Sequence, residues 1–338
     1  MEGDKLPRVS IIIPMRNEEA YIGTCLQSVV EQDYPVTLLE VLIVDGMSED
    51  SSRNIVQSFS NNCPYIRLLE NAEKATTCAL NIGIREATGD IIIRVDAHCL
   101  IEPDYVRSCV RELGNTDADN VGGPMRPIGK SFVQKAIALA MSHPFGVGGG
   151  RFHYSEKEMF VDTVYLGAYR REVFERIGLY DEEAHYSEDD ELNYRITRSG
   201  GRILLSPRIR SHYYPRTSLA GLWRQFFSYG MGKTRTMRKH GRPITWRQLI
   251  PPFFVLSLIA GFVGFLADTR FALLLFGVLG SYFMLAVIAA AKIGMREGRR
   301  FFLIMPVVFA VIHASYGMGF LTGIAISYWA DPILKGKA

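Results

Sequence analysis

The sequence predicts an α/β fold in which helices flank a mainly parallel sheet, followed by C-terminal transmembrane helices. Two observations predict this fold. Short apolar, strand-like runs alternate with helical segments through the first half of the chain, and long apolar segments follow residue 249. Strands that are separated by helices of about a dozen residues form right-handed βαβ units, so their carboxyl ends meet at one edge of the sheet.

Four strands alternate with three helices in the predicted order. The strands are 9–14, 39–46, 66–71 and 89–98, and the helices are 18–32, 48–59 and 74–87. The isoleucine-rich fourth strand is typical of a strand buried on both faces, and Ser48 with the acids after it is typical of a helix start. In open sheets of this kind, ligands bind outside the carboxyl ends of the strands. The polar or special residues at those ends are Pro14, Asn17, Asp45, Asp96 and His98.

Three apolar segments, 249–267, 271–291 and 301–329, are each long enough to cross a bilayer. Four basic residues lie between the second and third segments, whereas one lies between the first and second. The positive-inside rule therefore places residues 1–248 in the cytoplasm. Because the turn at 268–270 is short, the alternative is a hydrophobic hairpin that lies within one leaflet.

The charge is nearly balanced overall but unevenly distributed. The net charge of +3 does not indicate a nucleic-acid partner, but residues 202–267 contain eleven basic residues and no Asp or Glu. This block suits an anionic partner, either a phosphate or an acidic lipid surface, and a solvated basic face is the alternative. The five cysteines are odd in number and lack metal-ligand spacing, which predicts buried free thiols in a reducing compartment.

The fourth strand ends in an acid and an imidazole, Asp96 and His98, with one residue between them. Residues i and i+2 of an extended strand point to the same side, so one cation can contact both side chains. A carboxylate oxygen and an imidazole nitrogen suit Mn²⁺, and Mg²⁺ is tolerated. The alternative is that the pair caps a helix that begins near Pro103.

Four consecutive acids, Glu188 to Glu191, lie at the start of a predicted helix. Clustered carboxylates repel one another, which raises at least one pKa and favours a base that accepts a hydroxyl proton. The alternative is the ordinary preference of acids for a helix N-terminus. Asp45, beside Gly46 at the end of the second strand, is placed to accept hydrogen bonds from a nucleotide base or a ribose hydroxyl.

Seven ordered segments resemble the motifs of the family 2 inverting glycosyltransferases of the GT-A fold. They are SIIIPMRNEEAYIGTCLQSV, LIVDGMSEDSS, ALNIGIREATGD, RVDAH, YLGAYRREVFERIGLYDE, SEDDELNYRI and RQFFSYGMGK. The resemblance spans about residues 8–240. It is greatest to the membrane enzymes that extend lipid-linked repeat units in bacterial exopolysaccharide assembly, of the succinoglycan type. It implies a multi-pass protein of the bacterial inner membrane.

The resemblance also implies roles for individual residues. Asp189 would be the catalytic base, with Glu188 orienting the acceptor or supporting the base. The nucleotide sugar would be bound by Pro14, Asn17, Glu18, Asp45, Lys74 and Asp96. The metal ligands would be Asp96, His98 and His212, and the alternative for His212 is a packed core residue. The acceptor would be bound by Gln225, Tyr229, Lys233 and Arg235.

Two departures from the family pattern bear on the chemistry. The usual Asp-x-Asp is Asp-Ala-His in this chain, which leaves the preferred metal open between Mn²⁺ and Mg²⁺. The Gln-Arg-x-Arg-Trp motif of processive synthases is only partly matched at 225–229, which argues against a polymer-extruding synthase.

The predicted organisation is a cytoplasmic GT-A catalytic domain at 1–216, basic, amphipathic interfacial helices at 217–248 and a membrane domain at 249–330. The predicted reaction moves a hexose, with glucose as the first choice, from a UDP-sugar to a polyprenyl-diphosphate-linked saccharide. The predicted partners are these two substrates, membrane lipid and other polysaccharide-assembly proteins, without nucleic acid. A polyprenyl-phosphate sugar synthase, a metal-dependent membrane hydrolase and a non-catalytic scaffold are the alternatives.

Overall fold

The structure, a computed structural model, describes four stretches of the chain, residues 6–148, 150–183, 187–241 and 246–330. The chain forms two compact units. The first unit contains the chain up to Arg126 together with Arg151–Tyr214, and the second contains Pro127–Gly150 together with the chain from Pro215 onward. The predicted α/β fold with C-terminal apolar helices is confirmed.

The strands form a mixed sheet and a smaller second sheet. In chain order, β1 to β11 are Val9–Met15, Leu39–Asp45, Ile66–Glu70, Ile91–Arg94, Cys99–Ile101, Asn120–Gly123, Met125–Pro127, Met159–Val161, Tyr165–Arg170, Ile203–Leu205 and Ser211–Tyr213. The large sheet has the order β3-β2-β1-β4-β9-β6-β10-β8, and the small one has the order β5-β11-β7. Strands β1 to β4 are mutually parallel, as predicted, whereas β9 runs antiparallel to β4 and β6.

The helices divide between the two units. In chain order, α1 to α12 are Ile22–Val30, Ser52–Asn62, Thr76–Glu86, Tyr105–Asn115, Phe132–Met141, Pro144–Val147, Arg171–Ile177, Glu188–Arg198, Leu219–His240, Ile250–Ala267, Ala272–Glu297 and Arg300–Ala330. Helices α1 to α4, α7 and α8 belong to the first unit, and the others belong to the second.

Two predicted boundaries move, for reasons that matter at the site. β4 ends at Arg94, before the predicted end of the fourth strand at 98. α2 begins at Ser52 instead of Ser48. Ser48 does not cap this helix because its hydroxyl donates to Asp45 at 2.5 Å and accepts from the backbone N–H of Asn17 at 2.9 Å.

The centre of the large sheet is apolar and closed to solvent. Ile11, Ile12 and Ile13 on β1 and Ile93 on β4 are at most 1% exposed. Burial of each such side chain contributes about 1.5–3 kcal/mol relative to leaving it in water. α3 approaches β1 closely because Gly83 has no side chain, and a Cβ atom there would overlap Ile12. This packing holds the carboxyl ends of β1, β2 and β4 side by side.

Among the described residues, three C-terminal helices are long and apolar enough to cross a membrane. The spans are Trp246–Ala267, Thr269–Glu297 and Arg300–Ile326, with mean hydropathies of 2.3, 2.4 and 1.9. In the most apolar 18-residue stretch of each span, only 17%, 6% and 39% of the residues are buried inside the protein. Most of these apolar side chains therefore face outward, which suits contact with lipid.

Helix α9 packs along α12 at backbone contact distance. A Cβ atom at Gly230 would overlap the carbonyl oxygen of Tyr316, and one at Gly319 would overlap that of Phe227. Small residues that permit such an approach are common between membrane helices. The basic segment predicted at 217–248 is therefore tied to the apolar helices through α9.

The prediction assigns residues 127–150 to the catalytic domain, whereas in the structure they belong to the second unit. Phe132 of α5 stacks on Phe301 of α12 with ring centroids 5.2 Å apart. His313 of α12 donates from Nε2 to the carbonyl oxygen of Phe145 at 2.8 Å. These two contacts join residues that are about 170 positions apart in sequence, which local patterns do not indicate. The three-domain division itself stays a prediction.

Candidate active site

The turn after β4 brings together three side chains that carry metal-ligating atoms. The backbone N–H of Cys99 donates to the carbonyl oxygen of Asp96 at 3.0 Å, which closes the turn. As a result, the ligand atoms of Asp96, His98 and Cys99 lie within 4.8 Å of one another. The prediction relied on the alternation of side chains along an extended strand. In the structure β4 ends at Arg94, and a turn brings these ligand atoms together.

The ring of His98 is held on one edge by a carboxylate. His98 Nδ1 lies 3.1 Å from Glu18 Oε1. Glu18 is itself fixed at the start of the β1–α1 connection, because its backbone N–H donates to the Ser52 hydroxyl at 2.8 Å. Donation from Nδ1 leaves Nε2 as the lone-pair nitrogen, and this carboxylate–histidine arrangement is typical of metal-ligating histidines. Glu18, which is predicted to bind the nucleotide, therefore contacts a candidate metal ligand.

Cys99 is the weakest of the three donors. Its Sγ lies 2.6 Å from the Tyr165 hydroxyl, and burial raises the pKa of the Cys99 thiol well above its usual value. A thiol is a poor ligand until it is deprotonated. The strong donors are therefore the carboxylate oxygen of Asp96 and the imidazole nitrogen of His98, a set that fits a divalent cation of borderline character.

Arg94, the last residue of β4, joins this turn to the acidic quartet. Its Nε lies 2.8 Å from Asp96 Oδ1, and its Nη1 lies 2.7 Å from Asp189 Oδ1 and 2.9 Å from Glu188 Oε1. The Arg94 side chain is only 9% exposed. Sequence reasoning missed this residue. The signal in the sequence is a charged side chain at the end of an otherwise apolar strand. A charged side chain is buried only where it has oppositely charged or hydrogen-bonding partners.

The candidate base Asp189 lies in the first turn of α8. Burial raises the pKa of Asp189 to about 7, and repulsion from Glu188, Asp96 and Asp190 acts in the same direction, while Arg94 opposes the shift. Its side chain keeps 28% exposure, so a substrate can reach it. A carboxyl group with a pKa near neutrality can both accept and release a proton, which is the property of a general base.

The four acids do not share one role. Glu188 and Asp189 face Arg94, whereas Glu191 is buried and pairs with Arg195 at 2.9 Å within the same helix. Arg195 also donates to the carbonyl oxygen of Ile177 at 2.6 Å, which ties α8 to the end of α7. Glu191 is therefore a structural acid, and the first two members of the quartet form the candidate site.

The predicted nucleotide residues converge on the ends of β1 and β2. Asn17 has a left-handed backbone, with φ of 54°, and its Oδ1 accepts from the N–H of Glu49 at 2.8 Å. Asp45 is fully buried, with Ser48 on one carboxylate oxygen and Arg53 at 2.7 Å from the other. A nucleotide that reaches Asp45 must therefore displace one of these partners.

Pro14 and Lys74 border the same region. Pro14 lies in β1 opposite Val44 of β2, one residue before the strand ends. Lys74 also has a left-handed backbone, with φ of 61°, and its Cα would lie 3.5 Å from a Cβ added at Gly46. The Lys74 loop therefore lies within van der Waals distance of the end of β2, where a nucleotide is predicted.

The structure does not bring His212 into the Asp96–His98–Cys99 group. His212 lies in β11 opposite Leu100 of β5, and its Nε2 lies 2.9 Å from Glu102 Oε1. Its neighbour Tyr213 instead contacts His98, with ring centroids 5.4 Å apart. The side chains of successive strand residues point to opposite faces, so Tyr213 and His212 cannot both face the turn.

The predicted acceptor residues lie on one helix, α9, of the second unit. Gln225 donates from Nε2 to the Tyr229 hydroxyl at 2.9 Å, one helical turn away. Lys233 is buried in this unit, and Arg235 is half-buried. Their role in binding an acceptor stays a prediction.

Comparison with known proteins identifies the family. A model of the glycosyl transferase family 2 domain matches residues 10–178. The succinoglycan biosynthesis protein ExoA from Rhizobium meliloti is 32% identical over 255 residues, which cover 74% of this chain and 77% of that protein. A dolichyl N-acetyl-α-D-glucosaminyl phosphate 3-β-D-2,3-diacetamido-2,3-dideoxy-β-D-glucuronosyltransferase from Methanococcus voltae is 28% identical over 324 residues, 94% of this chain and 97% of that protein.

Solved structures share the fold. A mannosyltransferase from Pyrobaculum calidifontis, determined in complex with GDP-Man and Mn²⁺, superposes with a TM-score of 0.61 at 21% identity, covering 97% of this chain and 89% of that one. TarS 1–349 from S. aureus superposes with a TM-score of 0.50 at 16% identity, covering 96% and 92%. The predicted GT-A type of fold is confirmed, and the chain belongs to glycosyl transferase family 2.

Proposed function

We propose that the protein is an inverting hexosyltransferase that depends on a divalent cation. It moves a hexose, with glucose as the first choice, from a UDP-sugar to a polyprenyl-diphosphate-linked saccharide during cell-surface polysaccharide assembly. The observation that carries this proposal is the pairing of one buried guanidinium, Arg94, with both a candidate metal ligand, Asp96, and a candidate base, Asp189.

Asp96 and His98 would hold the cation. When bound, it would supply positive charge that stabilises the diphosphate leaving group. The side chains provide one oxygen and one nitrogen donor, and Glu18 orients the imidazole. This donor set is compatible with Mn²⁺ and with Mg²⁺, and the Pyrobaculum mannosyltransferase was determined with Mn²⁺.

Asp189 would remove the proton from the attacking hydroxyl of the acceptor. That oxygen attacks the anomeric carbon from the face opposite the nucleotide, the bond to the diphosphate breaks, and the proton stays on Asp189. One direct displacement inverts the configuration, so an α-linked donor gives a β-linked product. Glu188 pairs with the same guanidinium nitrogen of Arg94 as Asp189 does, and it would support the base or orient the acceptor.

The acceptor is proposed to be a lipid-linked saccharide at a membrane surface. This choice is supported by the three apolar helices, by the basic helix α9 and by the succinoglycan name of the Rhizobium relative. Lys233 and Arg235 on α9 would bind the acceptor phosphates, and Gln225 and Tyr229 would contact its sugar. The distribution of basic residues supports a cytoplasmic catalytic unit at the bacterial inner membrane.

A second candidate acceptor is a lipid monophosphate or its sugar ester, as for a polyprenyl-phosphate sugar synthase. The name of the Methanococcus relative, which specifies a dolichyl phosphate-linked sugar, favours this candidate. A GDP-sugar donor is kept as an alternative because the Pyrobaculum mannosyltransferase was determined with GDP-Man.

The test uses the full-length protein in membranes with a panel of radiolabelled UDP- and GDP-hexoses. Each donor is combined with polyprenyl phosphate or a polyprenyl-diphosphate saccharide, and with Mn²⁺, Mg²⁺ or EDTA. We expect label in the diphosphate-linked lipid from a UDP-hexose, and none in EDTA. Release of free sugar without labelled lipid would indicate a hydrolase, and full transfer in EDTA would exclude the metal assignment.

A further inference from the structure

We propose that Arg94 is a positioning residue for sugar transfer. Its guanidinium fixes the base carboxylate of Asp189 relative to the metal-ligand carboxylate of Asp96. One oxygen of Asp96 stays available for the cation, and one oxygen of Asp189 stays available for the acceptor proton. This inference rests on the proposed function, because it concerns how the same site holds its reacting groups in place.

The geometry supports two separate bonds from one rigid group. Nε of Arg94 bonds Asp96 Oδ1, and Nη1 bonds Asp189 Oδ1. Tyr180 also donates to Asp189 Oδ1, at 3.4 Å. The bonds described for both carboxylates therefore go to Oδ1, which leaves Oδ2 of Asp96 for a cation and Oδ2 of Asp189 for the acceptor proton. A carboxylate has acceptor capacity on both oxygens.

The charge balance supports the same role. Three carboxylates face Arg94, and with all three ionised the group carries a net charge of about −2. Without the guanidinium, Asp96 would repel Glu188 and Asp189 across a buried space. With it, the three acids lie close together and still present a negative charge that suits a divalent cation.

The Arg94 side chain is largely buried, and its guanidinium is held by ion pairs with three carboxylates. Its side chain borders a small cavity whose other lining residues are Ile12, Leu80, Ile84, Ile92, Tyr169, Phe174 and Tyr180. These walls are mainly apolar and aromatic, which favours the position in which the guanidinium is paired with carboxylates. The planar fork of a guanidinium binds two carboxylates in fixed directions, which the single ammonium group of lysine cannot reproduce.

The test compares Arg94→Met and Arg94→Lys with a matched control, Arg171→Met, in purified full-length protein. Arg171 lies near the opposite end of β4 and donates to the backbone carbonyl oxygens of Gly89 and Ala87 at 2.6 and 2.7 Å. The Arg171→Met variant reports general destabilisation around β4, because the described contacts of Arg171 lie away from Asp96, Glu188 and Asp189. The readouts are kcat at saturating substrates and metal, and calorimetric binding of UDP with Mn²⁺.

We expect Arg94→Met to lower kcat about 100-fold, because misplacement of a reacting group by about 1 Å has an effect of this size. Arg94→Lys should recover part of the loss, and UDP should bind both variants within about fivefold of the wild-type affinity. The Arg171→Met control should keep kcat within about threefold of the wild type for its folded fraction.

Two results would overturn the inference. One is a kcat of Arg94→Met or Arg94→Lys equal to that of the wild type. The other is an equal loss of kcat in Arg171→Met, which would indicate a structural effect. If Arg94→Met does not fold, Arg94→Lys alone decides by its kcat. A wild-type protein that transfers no sugar would instead contradict the proposed function, so the two failures are distinguishable.

Discussion

Replacement of Asp189 by Asn removes the candidate base while keeping the shape of the side chain. The amide cannot accept the proton of the attacking hydroxyl, and Arg94 keeps its bonds to Asp96 and Glu188. A positioned general base contributes about 10²–10⁴-fold to a rate. We therefore expect kcat to fall by this factor, which corresponds to about 3–5 kcal/mol of lost transition-state stabilisation.

The structure also predicts the pH dependence of the wild-type enzyme. Burial raises the pKa of Asp189 from 3.8 to about 7, and only the ionised form acts as a base. At pH 6 about one tenth of the groups would be ionised, and at pH 8 about nine tenths, so kcat should rise about tenfold between these values. Asp190→Asn removes a negative neighbour, which should shift this acidic limb to lower pH.

The same Asp189→Asn substitution should stabilise the folded protein at alkaline pH. Because the pKa of Asp189 is higher in the folded protein than in the unfolded chain, the folded protein binds more protons between pH 4 and pH 7, and its stability falls as the pH rises through about 7. The amide of the variant would remain neutral throughout. We expect the thermal midpoint of Asp189→Asn to exceed that of the wild type at pH 8, and the difference to vanish near pH 4.

The assay combines single-turnover transfer with thermal unfolding across this pH range. Asp190→Asn is the matched control, because it removes the adjacent carboxylate of the same helical turn. Loss of transfer in Asp190→Asn with full activity in Asp189→Asn would show that the base is assigned to the wrong residue. A wild-type acidic limb near pH 4 would contradict the raised pKa of Asp189.

Three further predictions concern the metal motif and the core. Glu18→Ala should weaken Mn²⁺ binding, measured by electron paramagnetic resonance, about 10–100-fold, because His98 loses the carboxylate that orients it. His98→Ala should abolish this binding, whereas His212→Ala should preserve it, because His212 lies outside the Asp96–His98–Cys99 group. Gly83→Ala should lower the free energy of unfolding by about 1–3 kcal/mol, since its Cβ would overlap β1.

A control variant and a contradicting result can be stated for these predictions. Glu49→Ala removes an exposed acid from the same region, and it should leave Mn²⁺ affinity unchanged. Equal Mn²⁺ affinity in Glu18→Ala and the wild type would show that the Glu18–His98 contact does not serve a metal. Loss of Mn²⁺ in His212→Ala would restore the predicted third ligand. An unchanged denaturation midpoint for Gly83→Ala would contradict the close packing of α3 on β1.

Local sequence patterns predicted the parallel half of the sheet because each strand there is a continuous apolar run. The run at β1 and the run at β4 are almost wholly buried, as expected for strands covered on both faces. The antiparallel position of β9 between β4 and β6 was not predicted. It depends on pairing between strands that are about 40 to 80 residues apart, which periodicity does not encode.

The site was predicted in part, for a similar reason. Asp96 and His98 are two positions apart in sequence, so their proximity could be anticipated. Arg94 contacts Asp189 across 95 positions, and no local pattern indicates such a contact. Ser48 is predicted to cap a helix because its sequence neighbours fit a cap, but its hydroxyl donates locally to Asp45 and accepts from the backbone N–H of Asn17, 31 positions away.

Anomalous diffraction at the manganese edge, from crystals grown with Mn²⁺ and UDP, would locate the cation relative to the proposed ligands. We expect a manganese peak at coordination distance from Asp96 and His98, with Arg94 still bridging Asp96 to Asp189. A peak at another set of ligands, or Asp189 turned away from Arg94 in the complex, would contradict it.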